Sequence, residues 1–470
     1  MQKSVTSKSK AEVIAEFAAG LTWDDIPPAV RERAKLQILD ALGTGLAAHA
    51  YPFAAKALEG IEALGGAGEC SVLGTAKRLS ARDAALANGL LMHGLDFDDT
   101  HLGSIIHATV ACLPAALAIG EQIGAGGKDL LVAYVAGMET AIRVGMAADG
   151  RFHHTGFHAT AIASHFSSAI VAGKLLGLDA DALTRAQGIA ASTAAGVQVF
   201  LEEGAWTKRL HPGWGASAGI TAAVLAQHAF KGPRRPYEGK FGLFDTHFQA
   251  EAGSVDQDQL VAGLGTRWLL AETAIKPYPV CHFIHGCADA AVELAGEVSA
   301  VDIVSIEALL PEPTLHIVAE PHASKIVPTT DYEAKFSAQF VIATCLARRR
   351  FGLAELQESA FSDRELLDLA AKVQCKADPD TSFPTYFSGG ISVKLRDGRI
   401  ISRYVPVNSG AGERALDVAG VSEKFRACAA MTTPPAMAER VRAVALELER
   451  HSARELGEAL RVSWAVEGEA

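Results

Sequence analysis

The chain has 470 residues, 49% hydrophobic and 21% charged, with a formal net charge of −11. That length exceeds one ordinary core and implies two domains, while the acidic balance argues against binding nucleic acid or an anionic membrane through bulk electrostatics. Seven scattered cysteines, odd in number and without a CxxC pair, suit reduced thiols in a cytoplasm.

Every apolar run is interrupted by Asp, Glu, Lys, Arg or His, so no membrane span is expected. The basic, Ser-rich start MQKSVTSKSK leads into no signal-peptide core. Ser9-Lys10-Ala11-Glu12 has the form of a capping box and opens the first predicted helix. From residue 9 to about 270 the chain reads almost entirely as helix. Pro27-Pro28 starts a second apolar stripe, and segments near 82–93, 108–124, 128–147, 159–176, 180–197 and 215–230 follow. They are rich in Ala, Gly and Ser and apolar on most faces, as buried, closely approaching helices are. Asp40 and Asp83 read as helix-surface or capping residues.

Past residue 270 the pattern changes. Ser305 to Leu310 and Thr314 to Val318 are β-compatible, and helical stretches follow at 332–348 and 363–372. Asp397-Gly398 between two alternating runs signals a hairpin. From residue 420 the chain is helical again and is expected to return to the first domain. The predicted fold class is mainly α: a large all-helical domain (1–270 with 406–470) plus a smaller α+β domain (271–405).

Chemistry concentrates in four places. HGLDFDDTHLGSIIHAT (His93 to Thr109) packs three acids, a threonine and spaced histidines between two alanine-rich runs. RFHHTGFHAT repeats the tripeptide His-Ala-Thr, at 158–160 as at 107–109. TKRLHPGW brings Lys208, Arg209 and His211, and KPYPVCHFIHGC brings Lys276, Cys281, His282, His285 and Cys287. Each is read as preceding a helix, whose unpaired N–H groups favour a carboxylate or phosphate. Singly, a histidine near a helix start is most often structural; the recurrence points to one pocket for a polycarboxylate. The acidic cluster lacks the Gly turn and terminal Glu of a calcium loop, and CHFIHGC lacks a second half for a zinc site, so no metal is expected. There is no dinucleotide fingerprint, P-loop or nucleophile elbow.

DFDDTH, GFHAT, TKRLHPGW, KPYPVC and the run from Pro328 to Ser337, in this order, resemble the MmgE/PrpD family, which includes 2-methylcitrate dehydratases, cis-aconitate decarboxylases and iminodisuccinate epimerases. The likeness spans about residue 10 to 405. It implies a helical domain completed by the C-terminal helices, a smaller α+β domain, a homodimer, and catalysis with neither metal nor organic cofactor. The family's active-site positions fall on Asp96, Thr100, His107, His158, Lys208 and Lys276. Cys281, with the neighbouring His101, Arg209 and His282, completes the set as substrate-binding candidates. The implied activity is a lyase on a small di- or tricarboxylate, 2-methylcitrate dehydratase-like, by proton abstraction next to a carboxylate. Decarboxylation and epimerisation use the same residue types. A non-catalytic carboxylate binder and a metal-dependent hydrolase are the readings from other classes.

Overall fold

A computed structural model of the chain describes residues 7–462. It is mainly helical and divides into two compact units: residues up to Thr273 together with those from Val418 onward, and Ala274–Asp417.

In the first unit, the capping box forms as the sequence predicts. The Ser9 side chain accepts from the Glu12 N–H while Glu12 reaches back to the Ser9 N–H. The long helices Pro28–Ala48, Ala81–His93, Gly127–Ala148, Ala159–Leu175 and Thr207–Gln227 then build a core of small side chains. Glycine is obligatory where they cross. A Cβ at Gly213 would stand 2.2 Å from the Leu86 carbonyl oxygen, and one at Gly215 2.4 Å from the Ser164 Cβ. The Thr207–Gln227 helix is thereby wedged against both Ala81–His93 and Ala159–Leu175. Its first turn lies beside the C-terminal end of one and the N-terminal end of the other.

Several expectations are corrected in this unit. Gly127–Ala148 is long and apolar enough to cross a membrane by length and composition, contrary to the sequence reading; 94% of its most apolar window is buried, so it is a core helix. The segment 94–112 is irregular, and the next helix starts only at Leu113, where Pro114 suits a first turn. The Thr207–Gln227 helix begins ahead of Pro212, which places Lys208 and Arg209 within its first turn. A short strand pair, Ala67–Ser71 with Arg78–Leu79, interrupts the helical series. Asp83 does sit at a capped start beside Ser80, but Asp40 is buried at 1% exposure. It pairs at 2.6 Å with Lys424, which the Val418–Ala429 helix carries onto Pro28–Ala48.

The second unit holds a four-stranded sheet in the order Val373–Ala377, Ile303–Leu310, Gly389–Leu395, Ile400–Val405. The first two strands are parallel and the other pairs antiparallel. Asp397-Gly398 makes the expected hairpin turn, with Gly398 at φ +89°. The helix His285–Leu294 packs on the sheet, so closely that a Cβ on Gly286 would lie 2.4 Å from the Gly389 nitrogen. Thr314 to Val318 is not a strand. Pro311 and Pro313 set up a 3-10 turn, Glu312–Thr314, which runs into the helix Leu315–Val318.

Candidate active site

The segment after His93 turns sharply because Asp96 adopts φ +54°, in the left-handed region that Asp tolerates better than most residues. The turn sends its three acids to different partners. Asp96 Oδ2 accepts from Lys208 Nζ at 2.7 Å. Asp98, fully buried, lies 2.9 Å from His93 Nδ1 and 3.2 Å from His107 Nδ1. Asp99 accepts from the backbone N–H of Thr109 at 3.1 Å and from its hydroxyl, which also meets Tyr134 Oη at 2.6 Å.

These environments separate the three carboxyls electrostatically. Burial pushes Asp98 up, but the imidazoles of His93 and His107 outweigh it and hold the carboxylate well below its usual range. For Asp99 burial prevails: against the Thr109 hydrogen bonds, and with Asp98 nearby, its carboxyl is pushed up to about 7. Its two hydrogen bonds from Thr109 tie Asp99 to the end of the loop. The same loop is anchored by Lys424, which donates to the Phe97 carbonyl at 2.7 Å and lies 3.8 Å from the Phe97 ring centroid.

The two His-Ala-Thr tripeptides meet in space: the His107 N–H donates to Thr160 Oγ1 at 3.1 Å. His107 Nδ1 lies 3.0 Å from the Asp99 carbonyl oxygen and 3.4 Å from the Thr100 hydroxyl, which leaves Nε2 3.5 Å from Asp96 Oδ1. His158 is the residue preceding Ala159–Leu175; its Nδ1 is 3.0 Å from His211 Nδ1, so one of the two rings carries the shared proton. Its ring stacks on His93 at 5.7 Å between centroids. Burial first, then Lys208, His93, His211 and His153, lower the His158 pKa well below the ordinary histidine value. His211 is pushed down to about 4 by burial, His93 and Lys208. What results is a neutral, proton-accepting imidazole beside a Lys–Asp pair, with a second imidazole facing the same Asp.

Asp96, Thr100, His107, His158 and Lys208 are thus brought together. His101 and Arg209 are not part of this cluster. A short β-bridge to Ile106 turns His101 toward Ser104, 3.0 Å from Nδ1, and Glu272, 3.9 Å from Nε2. The Arg209 guanidinium lies over the Phe53 ring at 4.1 Å. Lys276, Cys281 and His282 belong to the second unit and are buried there; His282 Nε2 lies 3.1 Å from Asn408 Nδ2. The same cluster includes His93, Asp98, His211 and Thr160, which the sequence reading placed in its candidate stretches without assigning them a role. Their signal was the motifs themselves: each lies in a stretch already singled out. For metal binding, His93, His107 and His158, and separately Asp96, Asp98 and His107, offer ligand atoms within 4.8 Å of one another.

Comparison with known proteins agrees with the motif set. The MmgE/PrpD N-terminal domain model matches residues 12–255 and the MmgE/PrpD C-terminal domain model residues 278–450. Cis-aconitate decarboxylase of Aspergillus terreus is 27% identical over 474 aligned positions, covering 96% of each chain. Cis-aconitate decarboxylase of Homo sapiens is 28% identical, covering 89% of this chain and 88% of its own. 2-Methylcitrate dehydratase of Cupriavidus necator is 25% identical, covering 95% and 93%. With both domain models matched in order along most of its length, the chain belongs to the MmgE/PrpD family.

Proposed function

We propose that the protein is a lyase on a small tricarboxylate that acts by moving a proton at a carbon next to a carboxylate. The observation that carries this is the neutral, buried His158 beside the Lys208–Asp96 pair. A neutral imidazole can take the proton, and a lysine ammonium can hold the carboxylate on which charge develops. His107, with Nδ1 set against the Asp99 carbonyl and Nε2 facing Asp96, is the proton donor in this scheme. The Thr100 hydroxyl supplies a hydrogen bond to substrate. Lys276 is proposed as a further residue needed for turnover, on the family resemblance. Net loss of water from a 2-methylcitrate-like substrate is the first reading. Decarboxylation of cis-aconitate is the second, favoured by relatives such as those of Aspergillus terreus and Homo sapiens that carry that name. A homodimer is also proposed; Trp214, Val224 and Leu225 on the Thr207–Gln227 helix are exposed apolar residues consistent with one.

Proton NMR in deuterated buffer, with 2-methylcitrate, cis-aconitate and an iminodisuccinate-type amino diacid supplied separately, tests the reading. Dehydration or decarboxylation supports it, and exchange of deuterium without net conversion would replace the lyase with an epimerase. Lys208→Ala, His158→Ala and Lys276→Ala should each abolish turnover while the fold persists. Full activity in all three would sink the assignment. Light scattering on the eluting protein reads the oligomeric state, and a monomer would refute the dimer.

A further inference from the structure

The segment that carries Lys276 in the second unit is stiff by composition. Lys276 and Tyr278 each precede a proline, in Lys-Pro-Tyr-Pro, so both are biased to extended backbone and the prolines have φ fixed. Few contacts are needed to place such a segment, and it is gripped on both sides of Lys276. On one side the Ile275 N–H donates to the Gly410 carbonyl at 3.2 Å. Gly410 sits at φ +87°, and a Cβ there would stand 2.0 Å from the Ile275 carbonyl oxygen. On the other side the Tyr278 hydroxyl donates to Asp289 Oδ1 at 2.8 Å. Further on, the Cys281 N–H donates to the Lys335 carbonyl at 2.8 Å, which ties the run from Pro328 to Ser337 to the same segment.

One carboxylate joins the two grips. Asp289, only 3% exposed on the helix His285–Leu294, accepts at Oδ1 from Tyr278 and at Oδ2 from the Ser409 N–H, at 2.6 Å and next to Gly410. Arg414 Nη1 lies 3.8 Å from Oδ2, and the Arg414 carbonyl accepts from the Gly410 N–H at 2.9 Å. The helix that carries Asp289 is itself fixed on the sheet by the close approach of Gly286 to Gly389. We propose that Asp289 is a positioning residue for Lys276, hanging both neighbours of the lysine on this helix so that the ammonium is held in one place. This rests on the reading of Lys276 as a residue needed for turnover. Without the carboxylate, the 408–410 loop and Tyr278 move independently, and the backbone beneath Lys276 moves with them. A misplacement of about 1 Å costs about 10²-fold in rate.

The test combines two readouts on the full-length protein. In the first, lysines are reductively methylated with limiting formaldehyde and mapped by mass spectrometry, which follows Lys276 without any substrate. Asp289→Leu removes both acceptors at similar volume and should raise the Lys276 labelling rate about tenfold or more, the scale of losing bonds to a buried carboxylate. Lys335, equally buried in the same unit, should stay protected. Asp289→Asn can keep both bonds, its oxygen toward the Ser409 N–H and its NH2 toward the Tyr278 hydroxyl, and should label like the parent protein. Glu293→Gln, one turn along the same helix, should do the same. If Asp289→Leu fails to fold, Tyr278→Phe removes one grip and must raise Lys276 labelling by itself. In the second readout, kcat/KM falls about 10²-fold in Asp289→Leu and is restored in Asp289→Asn. Unchanged Lys276 labelling in Asp289→Leu and Tyr278→Phe, or equal exposure of Lys276 and Lys335, would overturn the proposal. Faster Lys276 labelling with unchanged turnover would uphold it and remove Lys276 from the reaction instead.

Discussion

Asp98→Asn is the substitution that most directly probes how the cluster is held. The carboxylate is fully buried and its Oδ2 lies 2.9 Å from His93 Nδ1 and 3.2 Å from His107 Nδ1. At an effective dielectric of about 20, unit charges 3 Å apart attract by about 5 kcal/mol, a gross figure that burial of the ion largely offsets. The net worth of each hydrogen bond to the charged group is about 1.5–3 kcal/mol. Asparagine keeps only a neutral oxygen at the Oδ2 position and puts an NH2 donor in place of Oδ1, 3.2 Å from His93 Nδ1, so the charge-assisted bonds are weakened and a donor faces the His93 ring. The expected cost is about 2–3 kcal/mol of stability. If the cluster carries proton transfer, turnover should fall about 10²–10³-fold, since one ring must take the wrong tautomer.

The pH dependence carries a sign. Asp98 is depressed in the native state from an ordinary 3.8, so its contribution is fully present above that value and disappears as pH falls through the lower folded value. Asp98→Asn removes that component of acid sensitivity. Urea denaturation at pH 7 and at low pH, together with steady-state rates, checks both effects. Unchanged stability with turnover within twofold of the parent protein would refute the reasoning.

Other expectations follow from the same coordinates. Lys424→Met leaves Asp40 buried without its cation and should cost about 3–5 kcal/mol, with much of the loss recovered in the double variant with Asp40→Asn; thermal melts of the three proteins read the coupling. An equal loss in the single and double variants would deny that the pair matters. Because the His158 pKa is lowered, the acidic limb of the kcat profile should lie below pH 6.5, and Lys208→Met should move any residual limb upward by removing one of the cations that depress it. Folding linkage has the matching sign: a histidine buried neutral makes stability decline as the protein is acidified below its unfolded value near 6.5. Gly213→Ala forces a methyl group against the Leu86 carbonyl and should destabilise by about 1–3 kcal/mol; a neutral result in chemical denaturation would mean the helices separate easily.

What could be read before folding was whatever local chemistry decides. Ser9 and Glu12 specify their cap within four residues, and Asp397-Gly398 specifies its turn through a glycine at positive φ. The Thr314 to Val318 run misled because its branched side chains favour strands, while the two prolines before it had already set helical geometry. The strand Val373–Ala377 carries little signal of its own; its place is fixed by parallel pairing with Ile303–Leu310. In the site, motif spacing located the clusters, but partners depended on backbone no pattern encodes. A left-handed Asp96 directs one acid to Lys208 and the next to His93, and a bridge two residues past Asp99 turns His101 to Glu272. Asp40 looked like a surface residue because its partner, Lys424, lies 384 positions further along the chain.

That last separation also bears on how the protein is made. The anchor on Phe97 comes from a helix synthesised after the entire second unit, so a nascent chain reaches residue 417 with its acidic loop complete in sequence but still lacking Lys424. Until then Asp40 has no ammonium to meet, and a buried carboxylate without one is a reason for the early helices to stay loosely packed. Maturation of the first unit would then be timed by the last stretch of translation: ribosome-bound chains whose Lys424 has not yet emerged should remain open to protease at the 94–112 segment, and the released full-length chain should close.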